Sequence, residues 1–439
     1  MVAGVSSGAG KTTLATGLMA AMRRRGVRVA PAKIGPDFID PGYHALATGR
    51  PPRNLDPWMC GPEMVRPLAA RAGEGADLLI AEGVMGLFDG ADDGTPSSTA
   101  DVAVLLDAPV VLVVNAAAMG TSVAAMVRGF RDHDPRVRLG GVIANRVGSD
   151  RHEALIRRAL QELGVPVLGC LRRDDAFTWR DRHLGLVPVS EHPDTVTGAL
   201  DRLATSVAAS VDLEAIDRLA ATAPRLRVDG PPTATRVGAC RVAVASGAAF
   251  TFAYTDNLEA LAAAGAELVP FDPRSDPALP PGIHGLVVGG GFPEVYGEEL
   301  AGNGPLMADA RRRIGLGLPT WAECGGLGWL ARDLDGRPMV GAVPASVSLG
   351  SRPVLGYRVA TTTSRSPIGP PGTSFRGHEH HYSTGNPAGR ALSVLSTYTD
   401  RPGADGFATP TLLATYVHHH AGGDPGLIEA FVRACSPVA

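Results

Sequence analysis

A glycine-rich segment near the start of the chain limits the fold more than any other feature. Gly4-Val5-Ser6-Ser7-Gly8-Ala9-Gly10-Lys11-Thr12-Thr13 leads into an amphipathic stretch that reaches about Arg25. Glycines at a strand-to-helix turn free backbone N–H groups to wrap an anion, and the helix N-terminus behind them favours negative charge. The pattern predicts a phosphate-binding loop inside a parallel α/β sheet. Gly8 and Gly10 let the backbone approach a nucleotide such as ATP, and Lys11 reaches its outer phosphates. Thr12 and Thr13 open the helix, with the Thr12 hydroxyl a ligand for Mg²⁺. Five residues separate Gly4 from Gly10 where the usual motif has four, and Met1-Val2-Ala3 is short for a feeding strand.

Lysine usage points to the same place. Of 41 basic residues only Lys11 and Lys33 are lysine. A planar guanidinium cannot stand in for a compact ammonium in a phosphate cradle, so these two positions resist the replacement seen elsewhere.

Short apolar runs at 27–32, 78–81, 110–114, 142–144 and 165–168 read as buried strands between helices. Around 221–238 the composition turns to Pro, Thr, Arg and Gly and reads as a linker. A second alternation follows, with strands at 241–245, 267–271, 285–288 and 319–322 and helices at 255–264 and 297–314. A chain of 439 residues can bury two such cores, so the expected domains are 1–220 and 239–439.

With 19% charged residues, a net charge of -3 and no run of like charge at either terminus, nothing suits nucleic acid or an anionic membrane surface. Small-molecule partners are expected. No stretch approaches the ~20 apolar residues of a membrane span and no signal peptide opens the chain, which points to the cytoplasm. The five cysteines are odd in number and lack CxxC spacing, so neither a disulfide framework nor a zinc site is suggested.

Two acidic motifs end predicted strands: Lys33-Ile34-Gly35-Pro36-Asp37-Phe38-Ile39-Asp40, and Glu82-Gly83-Val84-Met85-Gly86-Leu87-Phe88-Asp89-Gly90. Ligands of open α/β sheets bind at carboxyl ends of strands, and a hard dication wants oxygen there. Asp37 and Glu82 are the metal candidates. Asp40 and Asp89 are candidates for substrate contact, with a plain turn role equally open. Asn145, at the end of its strand, can meet an adenine edge or simply close a turn.

In Trp321-Ala322-Glu323-Cys324-Gly325-Gly326, small residues flank a cysteine at a strand-to-helix turn. That turn exposes a nucleophile at a helix N-terminus, where a thiol is activated and an oxyanion can be bound. Cys324 is the expected nucleophile. His418, after the apolar run 412–417, is the expected base, although His418-His419-His420 can also read as a surface or metal-binding tract. Gly289-Gly290-Gly291, with Gly325, offers N–H groups for an oxyanion hole.

Together these motifs resemble the cobyrinic acid a,c-diamide synthase family over almost the whole chain. Besides the segments above, the resemblance includes Asn54-Leu55-Asp56, Arg182-His183-Leu184-Gly185-Leu186, Asp256-Asn257-Leu258, Gly377-His378-Glu379 and Tyr416-Val417-His418. It implies a P-loop, dethiobiotin-synthetase-like parallel-sheet domain followed by a class I glutamine amidotransferase-like α/β domain. The implied reaction uses ATP, Mg²⁺ and glutamine to amidate a corrinoid carboxylate, in cobalamin biosynthesis. Homodimerisation is left open. The wider amidotransferase class often carries Glu two residues after the histidine, where this chain has His420, so a Cys324–His418 dyad is implied. Glu379-His380-His381-Tyr382 stands where the family segment usually reads Glu-Phe-His-Tyr. The alternatives are the same chemistry in cobyric acid formation or on nickel sirohydrochlorin, and a partition-type P-loop ATPase. Ser6, where that last group usually has lysine, argues against the ATPase, and the ATPase gives no reason for a cysteine turn.

Overall fold

A computed structural model describes all residues except 92, 174–180, 183–184, 187–192, 228–233, 399–401 and 437–439. His183 and Leu184 of one family segment, and the middle of the expected linker, therefore lie outside the described residues. The chain divides into two compact units, Met1–Gly230 and Pro231–Ala439.

The first unit is built on β1 (Val2–Gly4), β2 (Val29–Ile34), β3 (Arg53–Leu55), β4 (Leu78–Glu82), β5 (Val110–Asn115), β6 (Leu139–Val147) and β7 (Val167–Arg172). All run parallel in the order β3-β2-β4-β1-β5-β6-β7. Helices cover the sheet, so its inner strands are apolar on both faces, as Val110-Val111-Leu112-Val113-Val114 illustrates. Short as it is, β1 lies between β4 and β5, and the loop after it emerges at the carboxyl end of the sheet centre. Register sets Lys33 of β2 opposite Glu82 of β4, and Glu82 opposite Val2 of β1. The basic and acidic motifs are thereby delivered beside the loop. Beyond β7, β8 (Asp181–Arg182) and β9 (Gly185–Leu186) form a small antiparallel ribbon.

Two strands start later than their apolar runs. Val27 and Val165 follow Gly26 and Gly164, both at positive φ, and their N–H groups reach back to Met22 and Leu160. Each is the apolar residue that closes a helix in a Schellman motif, so the strands begin at Val29 and Val167.

In the second unit, β10 (Cys240–Ala245), β11 (Ala266–Phe271), β12 (Gly285–Val288) and β13 (Thr320–Glu323) belong to a mostly parallel sheet. A second sheet contains β14 (Asp333–Leu334), β15 (Arg337–Pro338), β16 (Ser346–Thr362) and β17 (Ser374–Asn386), with β18 (Leu392–Ser396) and β19 (Gly403–Asp405) at its side. β20 (Phe407–Thr409) and β21 (Leu412–Thr415) return to the first sheet, whose order is β11-β10-β12-β13-β21-β20. β22 (His418–His419) then joins the second sheet by pairing with β17.

The single helix expected over 297–314 is two, Gly297–Gly302 and Gly304–Gly315, because Pro305 cannot continue a helix from before it. Asn303 fills the break by donating to the carbonyls of Pro273 and Asp276. The apolar run 412–417 does not stay one strand. Asp405 accepts the Thr415 hydroxyl and the Tyr416 N–H, and Val417 N–H donates to Thr415 Oγ1. The chain leaves the first sheet there and enters the second at His418.

Candidate active sites

In the first unit Gly8 and Gly10 have φ of +74° and +94°, which only glycine adopts without strain. A Cβ on Gly10 would fall 2.1 Å from Asn145 Nδ2 and one on Gly4 2.9 Å from the Lys11 stem, whereas nothing lies within 4 Å of one on Gly8. Gly8 thus faces open space while Gly10 and Gly4 are packed upon. Lys11 opens the helix Lys11–Arg24 and curls over the loop, with Nζ 3.0 Å from the Ser6 carbonyl. Burial, aided by the like charge of Lys33, pulls its ammonium below the ordinary lysine range. Thr13 follows Thr12 in the same first turn and is half-buried.

Asn145 does not present a free edge to a base. Its Nδ2 donates to the Ala9 carbonyl at 3.0 Å and its Oδ1 accepts the Arg146 N–H, so the amide ties β6 to the phosphate loop.

Behind the loop, Thr12 Oγ1 donates to Glu82 Oε1 at 2.7 Å and lies 3.0 Å from Asp40 Oδ2. Lys33 Nζ sits 2.5 Å from Asp40 Oδ2, 3.0 Å from Glu82 Oε1 and 3.5 Å from Asp37 Oδ2. Burial works against the Lys33 ammonium, but Asp40, Glu82 and Asp37 together hold its pKa above the usual range. Burial and the charge of Asp37 push Asp40 up, whereas Lys33, His44 and Thr12 overcome burial to hold Glu82 below the usual carboxylate range.

Asp37, the expected metal ligand, and Asp40, the expected substrate contact, are held differently. Asp37 Oδ1 is spent on the N–H groups of Ile39 and Asp40, closing the turn before the helix Asp40–Thr48. Asp40 is the carboxylate that meets Thr12. Asp89 accepts the Gly86 N–H at 2.8 Å and holds its own loop. His44 was not foreseen: it lies one helical turn after Asp40 and its Nε2 is 2.6 Å from Glu82 Oε2, both side chains fully buried. The i, i+4 spacing of Asp40 and His44 was its sequence signal.

Among the described residues no three carboxylate, imidazole or thiol groups form a ready-made metal cage. The oxygens that do converge are Thr12 Oγ1, Asp40 Oδ2 and Glu82 Oε1. This set fits Mg²⁺, which is held by one or two carboxylates plus phosphates and water.

In the second unit Cys324 stands between β13 and the helix Gly325–Leu330 with φ +50° and ψ −106°. A non-glycine residue in this region is strained, and such strain collects at functional turns. The turn is possible because Gly326 packs where a Cβ would lie 2.3 Å from the Val288 carbonyl, and Gly325 where one would lie 3.0 Å from Gly291 N. The Cys324 N–H donates to Thr415. Gly290 departs from its expected role as an oxyanion donor: its N–H is given to the Phe252 carbonyl at 3.1 Å. What Gly290 provides is room, since a Cβ there would be 2.6 Å from His418 Cε1. Gly291 and Gly325 lie against each other at the turn, a Cβ on Gly325 falling 3.0 Å from Gly291 N.

His418, His419 and His420 are each 1% exposed, which excludes a surface tract. Their environments separate them. His418 stacks on His378 at 5.0 Å. His419 Nε2 reaches the Asp424 carbonyl at 3.1 Å, and His420 Nε2 lies 3.7 Å from Asp256. Burial alone would lower the His418 pKa; hydrogen bonding and charge from Cys324 and Glu323 raise it to about 9. Burial holds His378 well below the ordinary histidine value and His419 down at about 4. Of the three consecutive rings, His418 is thus the one coupled to the cysteine. Glu323 was not foreseen as part of this group; its signal was its place at the strand end beside the nucleophile. His380 and His381 lie on β17, where His381 stacks on Tyr416 at 4.0 Å.

Residues 1–187 match the CobQ/CobB/MinD/ParA nucleotide binding domain, and residues 241–426 match the CobB/CobQ-like glutamine amidotransferase domain. The hydrogenobyrinate a,c-diamide synthase of Streptomyces coelicolor is 47% identical, the match covering 99% of this chain and 97% of the relative. This chain belongs to the a,c-diamide synthase family. Another member, the hydrogenobyrinate a,c-diamide synthase of Thermobifida fusca, is 46% identical over 99% of this chain and 96% of its own. The family's cobyrinate a,c-diamide synthase of Syntrophotalea carbinolica is 43% identical over 99% and 98%. Family membership accounts for both domain types found here, a nucleotide-binding parallel sheet and an amidotransferase. No described helix is long and apolar enough to cross a membrane.

Proposed function

We propose that this chain catalyses ATP- and glutamine-dependent amidation of the a and c side-chain carboxylates of cobyrinic or hydrogenobyrinic acid. The observation that carries the reading is one chain holding both a lysine-bearing phosphate loop backed by Asp40 and Glu82, and a strained cysteine turn beside the buried His418 ring.

In the amidotransferase unit, Cys324 Sγ attacks the side-chain carbonyl of glutamine. The C–N bond breaks as His418, protonated near neutral pH, gives its proton to the departing ammonia. Water then hydrolyses the thioester, His418 accepting a proton, and glutamate leaves. Gly291 and Gly325 offer N–H groups to the oxyanion at each stage. In the nucleotide unit a substrate carboxylate oxygen attacks the γ-phosphorus of ATP and ADP leaves. Ammonia then attacks the acyl carbon and displaces phosphate. Lys11 contributes positive charge at the phosphates. Thr12, Asp40 and Glu82 would hold Mg²⁺, which when bound neutralises charge on the phosphoryl oxygens. Lys33 and His44 keep Glu82 ionised and oriented for that task.

Mass spectrometry of product tests the proposal. With either acid, ATP, Mg²⁺ and glutamine, two carboxylates should become amides. Absence of amidation on both acids would overturn it.

A further inference from the structure

The carboxylate of Glu323 is shared between two members of the histidine run. Its Oε1 accepts the His419 N–H at 3.2 Å, and its Oε2 lies 3.6 Å from His418 Nδ1. The first contact is a hydrogen bond; the second is an ion-pair separation, longer than a hydrogen bond. Topology makes the arrangement. β13 pairs with β21 so that Glu323 is opposite Thr415, at the sheet end from which the chain crosses to His418. The residue that carries the carboxylate is therefore the immediate neighbour of the nucleophile.

A histidine that exchanges protons with a thiol needs its ring orientation and tautomer set by a partner on the other nitrogen. With Nδ1 turned to Glu323, Nε2 is the nitrogen available to Cys324. His420 does not serve this purpose, because its ring lies 4.6 Å from that of Tyr254 and its Nε2 is directed to Asp256. Among the described residues, ionisable groups electrostatically coupled to His418 from β17 are His378, Glu379 and His381. His378 covers one face of the ring, and Glu379 is bound to Arg358 of β16 at 2.7 Å. Glu323 is thus the carboxylate directed at an edge nitrogen of His418.

We propose that Glu323 is a positioning residue that fixes His418 and balances its charge, completing a Cys324–His418–Glu323 relay from the residue beside the nucleophile. The inference rests on the glutamine-dependent reading above. The charge of Glu323 also favours the imidazolium, so losing it should move the pH at which His418 deprotonates downward.

Glutaminase assays on the full chain test this with Glu323→Gln and Glu323→Asp. Glutamine keeps an acceptor for the His419 N–H but removes the charge; aspartate keeps the charge at shorter reach. Glu323→Gln should lower kcat about a hundredfold with KM for glutamine within about twofold, and shift the alkaline limb of the pH profile down. Glu323→Asp should recover part of kcat and return the limb toward its wild-type place. Wild-type kcat and an unmoved limb in Glu323→Gln would overturn the inference. So would equal losses in both variants with the limb unmoved. A wild-type enzyme without glutaminase activity would instead sink the functional reading itself.

Discussion

Lys11 is one of two ammonium side chains in a chain otherwise charged by arginine, and its stem runs within 2.9 Å of where a Cβ on Gly4 would stand. A guanidinium is bulkier and planar, and cannot lie in that channel with its charge on the same point. Lys11→Arg is expected to lower amide synthesis about a hundredfold or more while glutaminase activity persists. Side-by-side assays of both activities check this, and wild-type synthesis would contradict it. At this scale Lys11, Thr12, Glu82, Cys324 and His418 are marked in sequence by motif and position, and the structure groups Lys11 and Thr12 with Glu82 and sets His418 against Cys324. The assignments that changed turn on hydrogen bonds that sequence does not display. Gly290 gives its N–H to Phe252, and Asp37 spends an oxygen on its own turn while Asp40 reaches Thr12. Glu323 and His44 were missed because what sets each apart is a neighbour in space, His418 for Glu323 and Glu82 for His44, and an isolated Glu or His in sequence carries no such mark.

At the scale of elements, the cysteine turn depends on what lies beneath it. The helix Gly325–Leu330 packs directly on β12 because Gly326 has no side chain; a Cβ would meet the Val288 carbonyl at 2.3 Å. Backbone cannot yield as a flexible side chain can. Gly326→Ala should therefore displace the thiol, and a shift of about 1 Å in a reacting group costs on the order of a hundredfold in rate. Glutaminase kcat is expected to fall by that order with the first unit's ammonium-supported synthesis preserved. Wild-type glutaminase kcat would show that the turn tolerates the methyl group. Element boundaries were less legible than element types for a physical reason. Val27 and Val165 have the apolar character of strand residues, but a preceding glycine at positive φ lets each cap a helix instead. The long pairing of β16 with β17 was not anticipated, since those stretches lack a clean two-residue alternation along their exposed halves.

For the whole molecule, the proposed function gives each of two α/β units of different motif its own reaction, ammonia being the product of one and a reactant of the other. Their class was legible because buried parallel strands separated by helices leave a strong pattern, whereas the second sheet with its histidines draws strands from distant parts of the chain. If the division of labour is right, the Cys324 sulfur takes part in freeing ammonia and in nothing that ATP or the corrinoid carboxylate does. The decisive measurement is amide synthesis by Cys324→Ala with two nitrogen sources, glutamine and free ammonium, at matched amounts of folded protein. The account predicts loss of glutamine-dependent synthesis with ammonium-dependent synthesis retained. Glutamine-dependent synthesis at the wild-type rate, or loss with both nitrogen sources, would contradict it.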